Sequence, residues 1–173
     1  GVAGAVFYIV HHIVVKTALF LVAGLVDLRA GSSRLSEVGG LVREAPVIAL
    51  LFAVPALSLA GLPPFSGFLA KFALIDAGFD DGAWVVVAVS LLVGLFTMFS
   101  MTKIWAGAFW GESHGDDGQE LIVEGRLGTP RTMTLATASL AALSIAIAIA
   151  SGPLYRFSER AAEDLLHPAR YVM

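Results

Sequence analysis

Four titratable side chains stand where an apolar chain should carry none. His11, His12 and Lys16 interrupt the hydrophobic run 2–26, and Lys71 closes the stretch AGLPPFSGFLAK among Phe68, Leu69, Phe72 and Leu74. His12 and Lys16 are four residues apart, so on one helix they share a face, about 40° apart around the axis. At about 1.5 Å per residue, Lys16 lies roughly 15–20 Å from the ends of its run, too deep to reach water easily. An ammonium stripped of hydration gives up its proton more readily, and imidazole titrates near neutral pH unaided. The chemistry of such a pair is proton exchange: His12 or a water hands a proton to Lys16 and takes it back. His11 is rotated about 100° from His12. Two readings are open for it, a relay member or a hydrogen-bonded packing residue facing another helix.

Lys71 takes its meaning from what precedes it. Pro63 and Pro64 remove two backbone donors, their rings clash with the preceding turn, and the first holds Leu62 extended. Gly61 and Gly67 leave the backbone free on either side. We expect two half-helices, 46–62 and 65–79, joined by an unwound piece at membrane depth. Such a piece is tolerated only where protein or water satisfies its backbone. A broken helix beside an ionisable side chain is the usual pattern of an ion or substrate site in a transporter. The plainer alternative is a proline kink with a lysine that snorkels to the headgroups. Lys71 stands nine residues before Asp80, about 13 Å from that end, so it should lie nearer the outer side than Lys16. Both ammonium groups are expected to face the bundle interior, within reach of each other through water.

The elements that must position these groups follow from hydropathy. The chain has 173 residues, 57% hydrophobic and 14% charged, with mean hydropathy +0.82. A soluble domain is about a quarter charged, so this one is built for lipid. The reading is an all-α, polytopic transmembrane helix bundle with one discontinuous, proline-broken helix. It forms a single membrane domain with spans near 2–28, 46–79 (broken), 83–108 and 131–152, and an amphipathic tail 153–173. Lys103, Trp105 and Trp110 read as interface anchors, and the small residues of the last span suit close helix approach. Arg29, Arg34, Arg43, Lys103, Arg126 and Arg131 fall on one side, against Arg156, Arg160 and Arg170 on the other. The richer side is expected in the cytoplasm. The opening GVAGAVFYIV has neither an initiator Met nor a basic leader. We therefore expect a fragment whose upstream portion is missing.

Other chemistries find little support. The net charge is -3 with scattered Lys and Arg, so no basic stripe suggests nucleic acid. Without Cys there is no disulfide framework and no thiolate metal site. Haem would need facing axial ligands, yet His11 and His12 are adjacent while His114 and His167 lie in polar segments. No nucleotide loop is present, and no Ser, His and acid set assembles at membrane depth.

HHIVVKTALFLVAG, then GGLVREAP, then ALSLAGLPPFSGFLAKFALI, read in that order, resemble the proton-translocating antiporter family. That family comprises the large subunits of Mrp-type multisubunit sodium/proton antiporters and the antiporter-like subunits of respiratory NADH:quinone oxidoreductase. The match covers most of residues 5–80, with spacing and break agreeing together. FSMTKIWAGAFWGE looks more like the D-type member of the Mrp antiporters than a respiratory subunit. The resemblance implies a subunit of a cation (Na+)/proton antiporter, a secondary transporter and not an enzyme, multi-pass in the plasma membrane. Protons and monovalent cations would be its cargo, with the other subunits of the complex and the lipid bilayer as partners and no cofactor. It implies that Lys16, His12 and Lys71 correspond to the family's pathway residues, with the break at Gly61, Pro63, Pro64 and Gly67. The family's glutamate and lysine pair of the first repeat has no counterpart here. The alternatives are an antiporter-like, proton-pumping subunit of the respiratory enzyme, or a non-conducting scaffold subunit of the same fold.

Overall fold

A computed structural model describes residues 1–32, 34, 35, 37–111 and 130–167. His114, Arg126, Arg170 and Tyr171 lie outside the described residues. The elements are α1 (Val2–Ala30), α2 (Leu41–Glu44), α3 (Pro46–Ala60), α4 (Ser66–Asp80), α5 (Trp84–Trp105) with a π-helical continuation Ala106–Trp110, α6 (Arg131–Ile149) and α7 (Ser151–Leu166). No strand occurs among the described residues. Three of these helices are long and apolar enough to cross a membrane: α1, α5 with its continuation, and α6.

The bundle is built around α1, which packs against α3, α4, α6 and α7. Its buried positions are Gly4, Phe7, His11, Val15, Ala18, Val22 and Leu25. Steps of three and four make this one continuous stripe. Gly4 lets α4 come close, since a Cβ there would stand 3.3 Å from the Ala73 carbonyl oxygen. The helix stops at Gly31, left-handed at φ 73°, whose N–H bonds the Asp27 carbonyl. The main core joins Val22, Leu25, Leu41, Ile48, Phe52 and Phe109, and a smaller one joins Phe7, Ala70 and Ile147.

The proline-broken helix is two helices. α3 opens with Pro46, where a missing N–H costs nothing, and also carries Pro55 in its interior. It ends at Ala60, and α4 begins at Ser66 after an extended Phe65. The first half is shorter than expected, because Gly61 turns left-handed at φ 84° and ends α3 before the prolines are reached, while α4 keeps its expected length. α5 carries one buried residue, Val87, and otherwise displays apolar side chains. Trp105, expected as an interface anchor, is half-buried. Its ring stacks on Phe109 at 4.8 Å and meets Phe52 at 6.1 Å, because the wider π turn swings both rings against α3. Trp110 remains 70% exposed. α7 follows α6 after a single turn residue, and Tyr155 meets Phe7 edge-on at 6.1 Å.

Candidate functional site

A helix end leaves its last four carbonyls without intrahelical partners. At the end of α3 all four are accounted for. The Gly61 N–H bonds the carbonyls of Leu57 and Ser58, and the Leu62 N–H also bonds Leu57. The remaining two are taken by Lys71, whose Nζ donates to Leu59 O at 3.1 Å and to Ala60 O at 3.0 Å. The ammonium therefore sits on the negative end of the α3 dipole, half-buried and bridging the break from one turn inside α4. Gly61 makes room for it, since a Cβ there would lie 2.8 Å from Lys71 Cδ. Gly94 of α5 faces the same ammonium, with its Cβ position 3.5 Å from Nζ.

Across the break from Lys71, three hydroxyls meet an imidazole. Ser66 Oγ, in the first turn of α4, is 2.8 Å from His11 Nδ1 and 3.0 Å from Ser58 Oγ. Ser144 of α6 donates to Ser58 at 3.3 Å and lies 3.4 Å from Ser66. All four side chains are buried, at 1% exposure or less. The two half-helices touch backbone to backbone here, because a Cβ on Gly67 would collide with the Ser58 carbonyl. It would also stand 3.0 Å from His11 Nε2.

His12 is half-buried and stacks on Tyr8 at 5.3 Å. Its Nδ1 is enclosed, with no hydrogen-bonding partner among the described residues. Of the two lysines expected to face inward, Lys71 is half-buried in the interior formed by the described residues and Lys16 is not. It is exposed on α1, at the wall of an apolar cavity of about 460 Å³ lined also by Leu19, Phe20, Phe52 and Leu59. The cause is rotation: the buried stripe runs through His11 and Val15, so the neighbours His12 and Lys16 turn about 100° away from it. The structure thus brings together His11, Lys71, Gly61 and Gly67 at the break, with His12 and Lys16 on an adjoining face. Pro63 and Pro64 are exposed in the connection.

Ser58, Ser66 and Ser144 are absent from the sequence-derived set. The available signal was a hydroxyl on each of three apolar helices, because such groups need a partner when lipid offers none. With His11 they convert a packing contact into a polar junction of α1, α3, α4 and α6.

Residues 1–99 match the family model described as NADH:quinone oxidoreductase/Mrp antiporter, TM. The chain is 43% identical over 172 residues to a D-type Na(+)/H(+) antiporter subunit of Alkalihalophilus pseudofirmus, covering 99% of this chain and 34% of that protein. Against the Bacillus subtilis protein of the same name the identity is 32%, with the same coverage. The chain therefore spans about a third of the length of these relatives. Among solved structures, a chain of the Mrp complex from Dietzia sp. DQ12-45-1b superposes with TM-score 0.87 at 31% identity, covering 99% of this chain and 39% of that one. A chain of respiratory complex I from Thermus thermophilus superposes with TM-score 0.65 at 22% identity, covering 90% of this chain and 34% of that one, a likeness of fold.

Proposed function

Because this chain belongs to the NADH:quinone oxidoreductase/Mrp antiporter transmembrane family, we propose that it is part of a subunit of a multisubunit cation (Na+)/proton antiporter. Protons pass through waters and the side chains of His12, Lys16, His11 and Lys71. The chain forms one membrane domain of a multi-pass protein in the plasma membrane, with spans near 2–28, 46–79, 83–108 and 131–152 and a surface tail 153–173. The other subunits of the complex are its partners.

The observation that carries this reading is the Lys71 ammonium on the Leu59 and Ala60 carbonyls. Protonated, Lys71 makes two charge-assisted hydrogen bonds to the end of α3 and offsets its dipole. Neutral, it keeps N–H donors but loses the charge, so the hold on α3 slackens. Proton occupancy at Lys71 is in this way tied to how firmly the two half-helices are joined, which is the kind of linkage that ion exchange needs.

The test uses membrane vesicles containing the complete complex. Lys71→Ala should abolish cation-driven proton movement, and Lys71→Arg should do nearly the same. Arginine keeps the charge and the donors but does not release its proton. Wild-type exchange by an assembled Lys71→Arg complex would make Lys71 a structural cap and sink the relay. The second reading, a proton-pumping subunit of a respiratory oxidoreductase, is favoured by the family description alone. The higher identity to antiporter subunits supports the first.

A further inference from the structure

Proton positions in the serine cluster follow from counting donors. Each hydroxyl has one proton to donate. Ser144 donates to Ser58 at 3.3 Å. Ser58 is then left free to give its own proton to Ser66 at 3.0 Å, and Ser66 to give its proton to His11 Nδ1 at 2.8 Å. This open chain uses the three shortest contacts and leaves out the longest, Ser66 to Ser144 at 3.4 Å. The rival arrangement closes the three hydroxyls into a ring through that longest contact, and His11 must then donate from Nδ1.

We infer that the hydroxyl chain Ser144, Ser58, Ser66 holds neutral His11 in the tautomer protonated on Nε2, which makes Ser66 a positioning residue for the proton path. Nε2 lies beside Gly67, where any side chain would crowd it. Gly67 and Lys71 are four residues apart on α4 and so share a face. The N–H of His11 is accordingly presented on the flank that leads to Lys71, while Nδ1 is committed to Ser66. Only Ser66 of α4 touches the imidazole, so a shift between α4 and α1 during turnover changes which nitrogen of His11 carries the proton. The tautomer assignment stands on the hydrogen-bond geometry alone, and its consequence for transport rests on the function proposed above.

The experiment is nitrogen-15 NMR of the assembled, histidine-labelled complex in membranes, with His11→Gln identifying the His11 signals. Wild type should show a protonated Nε2 and an unprotonated, hydrogen-bonded Nδ1. Ser66→Ala, which removes one oxygen, should shift the Nδ1 signal and populate the other tautomer. Ser58→Ala should keep the wild-type tautomer, since Ser66 retains its proton for His11. In vesicles, Ser66→Ala should slow proton movement about tenfold, the worth of one buried hydrogen bond, and Ser66→Cys should restore part of it. A wild-type His11 protonated on Nδ1, or a Ser66→Ala spectrum identical to wild type, overturns the tautomer assignment. An unaltered vesicle rate for Ser66→Ala overturns its positioning role. Normal transport by Lys71→Ala would remove the relay instead and leave the spectra as they are, so the two failures are distinguishable.

Discussion

Gly67 has no side chain because the Ser58 carbonyl occupies the place where one would go. Backbone cannot swing aside as a flexible side chain can, so even a methyl group forces α3 and α4 apart. That separation would loosen the contacts of Ser66 with Ser58 and His11 and draw Lys71 away from Leu59 and Ala60. Gly67→Ala is expected to cost about 1–3 kcal/mol, the usual penalty for overpacking, read as a lower melting temperature of the purified complex. Gly152→Ala is the control, since nothing lies within 4 Å of its Cβ position, and it should melt as wild type does. A Gly67→Ala complex as stable as that control would mean that the half-helices do not touch as described. The same geometry disfavours a carboxylate at position 71. It would face two carbonyl oxygens and could donate only when protonated, whereas the ammonium always donates. Much of the site's residue list was legible in sequence, because charges and prolines in lipid-like surroundings are conspicuous. The serine cluster was not, because three hydroxyls so far apart along the chain gain meaning only when folding gathers them.

Hydropathy identifies the apolar elements but not their faces. In α1 nearly every residue is apolar, so no amphipathic contrast shows which side turns inward. That is why His12 reads as readily as His11 for the buried position, and why the outward turn of Lys16 becomes visible only in three dimensions. The break, by contrast, was written locally, since glycine and proline act through their own backbone. α5 presents the opposite difficulty: apolar on all sides, it buries Val87 alone among the described residues. Gly94 marks its site-facing side through the approach of Lys71. Leu92, two residues away and so about 200° around the axis, points outward and is 50% exposed. It lies near the middle of the span, where an aspartate costs about 3 kcal/mol on insertion scales. Leu92→Asp should therefore sharply reduce membrane-inserted protein in fractionated cells, while Leu92→Ala should leave it near wild type. Normal insertion of the Asp variant would place that face against water or a polar partner instead.

At the scale of the whole molecule, arginines among the described residues gather at the two ends of α1. Arg29 belongs to its last turn and reaches the Glu44 carbonyl oxygen at 3.5 Å, which puts Arg43 at that end as well. Phe7, near the other end, meets Tyr155, which brings the start of α7 there with Arg156 following. Twenty-two residues separate Phe7 from Arg29, about 33 Å of helix, and the hydrocarbon core of a bilayer is about 30 Å thick. The two groups of basic residues are thus one membrane thickness apart, a separation that composition alone could not supply. The chain contains no Cys, so an introduced thiol in this part of the protein has no native background. Arg43→Cys and Arg160→Cys replace exposed residues at the two ends. With a membrane-impermeant maleimide, Arg160→Cys should be labelled in intact cells, and Arg43→Cys only in inverted vesicles. The direction follows from the excess of basic residues on the Arg43 side, which favours retention in the cytoplasm. Labelling of both from one side would contradict α1 as a full span, and the reverse pattern would overturn the orientation while leaving the span intact.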